Sequence, residues 1–97
     1  MAQKLAKNYS LGVFLQKKRT ENNLSQGDIA KKLGYSTNQF VSNWERGLCS
    51  PPLESLEKLI DLCSINKQDL IDVMLEDTKR VIENKLQFKK SKTKKAV

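Results

Sequence analysis

Between Ser25 and Gly47 the chain reads SQGDIAKKLGYSTNQFVSNWERG, two short helical patterns joined by a tight turn. Ser25 stands where a helix N-cap is expected, and Asp28 completes a capping-box arrangement. Ile29, Ala30 and Leu33 recur at helical spacing and face inward. Gly34 stops this helix, because glycine accepts the left-handed backbone that closes helices. Ser36 or Thr37 caps the next helix, which ends at Gly47. Phe40, Val41 and Trp44 lie at i, i+1 and i+4 and form its inward stripe. Asn38, Gln39, Ser42, Asn43 and Arg46 fall on or near the opposite face.

The rest of the chain is helical in pattern, with no strand signal and no internal repeat. Ser10 is the expected N-cap of a first helix running to about Asn22, with Leu11, Phe14 and Leu15 as its buried face. Asn22-Asn23 ends it, since Asn tolerates the left-handed conformation. Leu48-Cys49-Ser50-Pro51-Pro52 reads as a rigid extended connector. A fourth helix spans roughly Leu53 to Cys63, with Leu53, Leu56, Leu59, Ile60 and Cys63 at core spacing. Asn66 starts a fifth, whose first apolar set is Leu70, Ile71, Met74 and Leu75. Nothing breaks this last pattern before Phe88, so a single long helix is expected. The prediction is an all-α, compact five-helix domain. Residues 1–9 are an N-terminal arm, 10–76 the domain, 77–88 a helical extension and 89–97 a disordered Lys-rich tail.

Ninety-seven residues fit one domain with a modest core. No apolar run approaches the length of a membrane span. The N-terminus MAQKLAKNYS lacks the apolar stretch of a secretory signal, so a cytoplasmic protein is expected. Cys49 and Cys63 fit a reducing compartment as unpaired thiols. With no His and no CxxC, neither a metal site nor a cofactor is expected. The same absence, with no nucleophile-base pairing and no phosphate-cradling glycine loop, argues against an enzyme.

The net charge of +7 is unevenly spread. Residues 1–47 hold eight basic and three acidic side chains, a balance of +5. Residues 48–83 hold four basic and eight acidic, a balance of −4, and residues 84–97 hold six Lys and no acid. A basic half, an acidic half and a basic tail suggest one face for a polyanion and another for something else. Charge of this size also keeps a small protein soluble, so the motif has to decide.

The motif favours DNA. Asn and Gln form bidentate hydrogen bonds to adenine N6 and N7 in the major groove. Asn38 and Gln39 lead the third helix, where such a helix first meets base edges, and Asn43 extends the reading by a turn. Ser42 and Arg46 suit phosphates or a second base. Ser25 and Gln26 open the preceding helix, whose positive end suits a phosphate. Lys31 and Lys32 add sequence-independent phosphate attraction. A plain solvated polar face is the competing reading, and three amides with few charges among them tilt against it.

Residues 10–75 resemble the phage-repressor type of helix-turn-helix, the Cro/C1 or xenobiotic-response-element family. The residues that carry the resemblance are Arg19, Leu24-Ser25-Gln26, Ile29-Ala30, Leu33-Gly34, Ser42, Trp44-Glu45-Arg46-Gly47, Pro51 or Pro52, and Leu56. It covers about two-thirds of the chain, and the motifs are specific only in combination. The resemblance implies base reading by Asn38, Gln39 and Asn43, with Gln26 at a phosphate or nearby base. It also implies that Arg19 and Glu45 form a structural ion pair tying the first helix to the end of the third. One departure stands out. Between Leu33-Gly34 and Ser42-x-Trp44-Glu45 the chain has one residue more than most relatives. Aligned from Gly34, Phe40 takes the inward position. Aligned back from Trp44, Val41 takes it. Asn43 is fixed relative to Trp44, whereas the place of Asn38 depends on the end from which the chain is aligned.

Ile71, Leu75, Thr78, Ile82 and Leu86 step by three or four along the fifth helix and suit a second copy. Val81 and Phe88 add to this apolar surface, which is more than a free tail should expose. The expected protein is therefore a homodimer on double-stranded DNA, a repressor reading an inverted-repeat operator in the nucleoid. No small-molecule ligand domain fits. Two alternatives stay open: an antitoxin or regulator whose acidic helices hold a second protein, and a nucleoid-associated protein binding without preference through the tail lysines 85, 89, 90, 92, 94 and 95.

Overall fold

The computed structural model describes residues 5–93. Five helices follow one another: α1 (Tyr9–Glu21), α2 (Gln26–Leu33), α3 (Gln39–Glu45), α4 (Leu53–Leu62) and α5 (Lys67–Thr93). No strand occurs among the described residues. The all-α architecture expected from the sequence is what forms.

α2 starts on local chemistry alone. Ser25 Oγ accepts the Asp28 N–H at 2.9 Å, and Asp28 Oδ2 accepts the Ser25 N–H at 2.8 Å. Two of the orphan donors at this helix end are thereby satisfied. Gly34 ends the helix at φ 89°, a left-handed conformation costly for any residue with a Cβ. Asn23, at φ 58°, turns the chain between α1 and α2 as its type allows.

α1 and α3 start differently from expectation. Ser10 is not the N-cap of α1, which begins at Tyr9 with Asn8 ahead of it and no side-chain cap of its own. The cap comes from 67 residues away. Asp77 Oδ1 accepts the Ser10 N–H at 2.8 Å, and Asp77 Oδ2 accepts the Leu11 N–H at 2.9 Å. α3 begins at Gln39, after neither Ser36 nor Thr37 but after Asn38, whose side chain makes no capping bond. Thr37 Oγ1 only accepts the Gln39 N–H at a long 3.3 Å.

The core holds Leu11 and Leu15 of α1, Ile29 and Ala30 of α2, Val41 and Trp44 of α3, Leu56, Leu59 and Cys63 around α4, and Ile65 and Leu70 before and in α5. α1 lies between α3 and α5, while α2 packs on α3 and α4. Two residues expected inside are outside. Phe40 is 51% exposed and Leu53 is 76% exposed. At that end of α4 the buried residues are Pro51 and Ser55. Ile71 and Leu75 are also exposed, so the first apolar set of α5 contributes chiefly Leu70 to the core.

Gly12 explains how closely α1 approaches α3. A Cβ placed there would stand 2.5 Å from the Glu45 carbonyl oxygen and 2.8 Å from that of Trp44. Only a residue without a side chain lets the α1 backbone touch the last turn of α3.

α5 is one uninterrupted helix of 27 residues, about 40 Å long at 1.5 Å per residue. Asn66 Oδ1 accepts the Asp69 N–H at 3.0 Å and starts it. It runs to Thr93, five residues into the segment expected as a disordered tail, and residues 94–97 lie outside the described residues. The boundary expected after residue 76 falls just before two residues of the fold itself. Asp77 is 3% exposed, and Arg80 donates to Asp77 Oδ1 at 2.8 Å and to the Ala6 carbonyl at 2.7 Å. The N-terminal arm is held there at residues 6 and 7, because Arg80 also donates to the Lys7 carbonyl at 3.2 Å.

Candidate nucleic-acid interface

α3 is docked by Val41 and Trp44 and turns a polar row outward. Gln39 Nε2 donates to Asn43 Oδ1 at 3.0 Å, and Arg46 Nη2 donates to the same oxygen at 2.7 Å. Arg46 Nε also donates to the Ser42 carbonyl, at 3.4 Å. Gln39 and Arg46 are exposed and Asn43 is half-buried between them. Three of the expected DNA-facing residues are therefore linked side by side. An amide that grips adenine accepts from N6 through its oxygen and donates to N7 through its nitrogen. Asn43 Oδ1 is already taken by two donors, so gripping a base requires Gln39 or Arg46 to yield or to share it. Asn38 stands apart, exposed at the residue before the helix.

Val41, counted back from Trp44, takes the buried position, and Phe40 swings out onto Tyr35 with ring centroids 4.9 Å apart. Tyr35 is itself fixed. Its ring meets Trp44 edge-on at 5.8 Å, and its hydroxyl is 3.2 Å from Ser55 Oγ. Position along α3 is therefore set from Trp44, which places Gln39 and Asn43 one turn apart on one face.

Behind this face lies a charged network. Arg19 Nε donates to Glu45 Oε2 at 2.6 Å and Arg19 Nη2 to Glu45 Oε1 at 3.1 Å, a two-pronged pair with little solvent access. Arg19 Nη1 donates to the Leu24 carbonyl at 2.8 Å. The pair thus ties α1 both to the end of α3 and to the residue before the α2 cap. The hydrogen bond to Glu45 holds the Arg19 guanidinium above its ordinary pKa against the opposing effect of burial. Gln26 Nε2 donates to Glu45 Oε1 at 2.8 Å. The Gln26 side chain, expected at a phosphate, is thus half-buried and anchored to the scaffold.

Ser25, Lys31 and Lys32 are exposed on or beside α2, and Ser42 is half-buried on α3. Asp28 sits at the N-terminal end of α2 as well. Its carboxyl is held below the usual range by the Ser25 N–H and then by the Ser25 hydroxyl. An anion approaching this helix end meets that fixed negative charge as well as the helix dipole.

The helix-turn-helix family model HTH_3 matches residues 15–70, from within α1 to the first turn of α5. The chain belongs to the Cro/C1-type helix-turn-helix family. It is a DNA-binding transcription regulator of that type, and its partner is double-stranded DNA. Neither the curated proteins nor the solved structures gave a match.

The matched region of this Cro/C1-type chain contains α2, α3, the Arg19–Glu45 pair and the Gln39–Asn43–Arg46 row. It stops before Asp77, which caps α1, and before Arg80, which donates to Asp77 and to the Ala6 and Lys7 carbonyls. Sequence reasoning missed both. An Asp followed three residues later by an Arg on a helix reads as an ordinary surface pair, and no local signal marks it as buried. Gly12 was missed for a similar reason, since a glycine inside a helical pattern gives no hint of what crosses it. No helix among the described residues is long and apolar enough to cross a membrane.

Proposed function

We propose that the protein is a homodimeric repressor that occupies a near-palindromic operator, with α3 of each copy in the major groove. Gln39 and Asn43 read base edges, Asn38 assists from the turn, and Arg46 and Ser42 meet a phosphate or a second base. Ser25, Lys31 and Lys32 hold the backbone, with the Gln26 main chain at the start of α2. The observation that carries this reading is the hydrogen-bonded row Gln39–Asn43–Arg46 on the outer face of a helix whose inner face is fixed by Val41 and Trp44. A helix fixed on its inner face loses little backbone freedom on binding, and its amides have only to exchange hydrogen bonds within the row for bonds to a base.

Pairing of two copies is assigned to α5. Ile71, Leu75, Ile82 and Leu86 are each about half exposed or more, along about 22 Å of helix. Pairing them removes apolar surface from water and spaces the two α3 helices for half-sites one DNA turn, about 34 Å, apart. Such a protein works in the cytoplasm, on the nucleoid.

The experiment is selection of bound sequences from a random duplex pool at near-physiological salt. An enriched inverted repeat is the expected result. Binding without enrichment supports a nucleoid-associated protein, and no retention supports a regulator that acts through a second protein.

A further inference from the structure

Phe40 is the feature of the interface that the polar row leaves unexplained. A phenylalanine with 51% of its surface exposed stands on a helix whose other outward residues are amides, a serine and an arginine. It follows Gln39 directly and precedes Asn43 by three positions, about 60° round the helix from Asn43. Its ring is braced against Tyr35, which is held by Trp44 and by Ser55. The ring is therefore held on the Tyr35 side of α3, half of it bare, within a turn of Gln39 and Asn43.

Leaving such a ring in water is unfavourable, and nothing in the fold requires it, since Val41 fills the inward position. The surroundings say what covers it. Lys31 and Lys32 are exposed on α2 and Arg46 at the end of α3, so these two helices offer positive charge to a polyanion. The major groove of DNA offers one protruding apolar group, the C5-methyl of thymine. An amide beside an aromatic ring thus matches the two sides of A·T pairs: the amide takes adenine N6 and N7, and the ring covers a thymine methyl.

We infer that Phe40 is a specificity-determining residue that reads a thymine C5-methyl in each half-site, next to the adenine taken by Gln39 or Asn43. This rests on the reading of α3 as the groove helix. It adds that the half-site holds a thymine whose methyl group, rather than its hydrogen-bonding edge, is recognised.

The test uses the full chain and the operator obtained by selection. Each thymine is replaced singly by deoxyuridine, which removes only the methyl. Affinities are measured for the unaltered protein and for Phe40→Ala. For the unaltered protein, one uracil position per half-site weakens binding about fourfold, the worth of one buried methyl group at about 0.8 kcal/mol. Phe40→Ala binds the thymine operator at least fourfold more weakly and is indifferent to uracil at that position. Phe40→Leu, which keeps an apolar side chain, retains part of the uracil sensitivity. Circular dichroism confirms that both variants keep the helical fold.

Uniform indifference of the unaltered protein to uracil overturns the inference while leaving α3 as the reading helix. So does an equal uracil penalty in Phe40→Ala, which assigns the methyl to another residue. Unchanged operator affinity in Phe40→Ala overturns it as well and assigns the exposed ring to a protein surface. Failure of the selection to enrich any sequence removes the groove reading itself, and the inference with it.

Discussion

Asp77 caps the first turn of α1 by accepting the Leu11 N–H at 2.9 Å, across 66 residues of chain. The same carboxylate takes the Ser10 N–H and the Arg80 guanidinium. Burial on its own pushes the Asp77 carboxyl up, but the Leu11, Ser10 and Arg80 hydrogen bonds outweigh it and leave the pKa below the ordinary value. A helix that lacks a cap of its own is thus completed by α5, the helix to which pairing is assigned.

A pH dependence of stability follows, with a definite sign. A carboxyl whose pKa is lower folded than unfolded stabilises the fold above the unfolded value, about 3.9 for Asp. That contribution disappears as pH falls through the lower folded value. Stability is therefore expected to be flat at neutral pH and to drop below about pH 4. Asp28, lowered in the same direction by the Ser25 cap, adds to the drop. Asp77→Asn should unfold at lower denaturant at pH 7 and show a shallower acid limb. Asp77→Ala should cost roughly 2–4 kcal/mol, because it removes the acceptor of the Ser10 and Leu11 N–H groups and of the Arg80 guanidinium. Urea titrations between pH 3 and 7 measure both, and an acid limb unchanged in Asp77→Asn overturns the assignment.

Gly12→Ala sets two effects against each other. Alanine is favoured over glycine in a helix interior by about 1 kcal/mol. The added Cβ, however, would stand 2.5 Å from the Glu45 carbonyl oxygen, and the neighbouring atoms are backbone that cannot rotate away. Forced insertion into a packed site costs typically about 1–3 kcal/mol, and more where backbone must move. The clash should win, and Gly12→Ala should be net destabilising. Equilibrium unfolding decides the sign, and a stabilised variant means that α1 and α3 slide apart without strain.

These two residues also mark where the sequence stopped being legible. Helix boundaries that depend on neighbouring residues were readable: the Ser25–Asp28 box, Asn23 and Gly34 all act within their own turns. The α1 cap was not readable, because its acceptor lies in another helix. Phe40 and Val41 are adjacent apolar residues, so periodicity suits either of them as the inward one. Packing of Val41 beside Trp44 resolves it, and Phe40 goes out onto Tyr35. Leu53 fits the core spacing of α4 but lies at the end of the helix, where Pro51 is buried instead. The polar row on α3 was legible as a set of residue types. That Gln26 binds Glu45 rather than facing outward was not, since it depends on how α1, α2 and α3 meet.

Arg19 and Glu45 should behave as a unit. Their side chains are 12% and 5% exposed, so removing one strands the other in a poorly solvated place. Arg19→Ala or Glu45→Ala should each cost about 3–5 kcal/mol. The double replacement Arg19→Met with Glu45→Leu should recover most of that loss, because no charge is then left unpaired. A thermodynamic cycle from denaturant titrations checks the pair, and additive losses mean that the bond contributes nothing of its own.

Pairing through α5 predicts a clean separation of assembly from folding. Leu75→Glu with Ile82→Glu replaces exposed apolar residues that belong to no core. The variant should sediment as a monomer, keep its thermal transition at matched low protein concentration, and lose operator affinity. A monomeric unaltered protein sinks the pairing proposal. A dimeric double variant moves the contact to another surface.

Asn43 is the centre of the polar row, so substitutions there should not add simply. Gln39→Ala and Asn43→Ala should each cost about 1–3 kcal/mol on the operator and little on random DNA. Gln39 and Arg46 both donate to Asn43 Oδ1. Removing Asn43 therefore frees both of them, and removing Gln39 leaves Asn43 held by Arg46 alone. The double variant Gln39→Ala with Asn43→Ala should lose less than the sum of the single losses, by about 0.5–3 kcal/mol, as residues in contact do. Arg46→Ala should weaken operator binding by relaxing Asn43 as well as by removing a positive charge. Its loss should then shrink when Asn43 is already Ala. Competition binding at fixed salt measures the cycle. Strict additivity means that the row is a feature of the free protein only, while equal losses on operator and random DNA mean that these side chains read no bases.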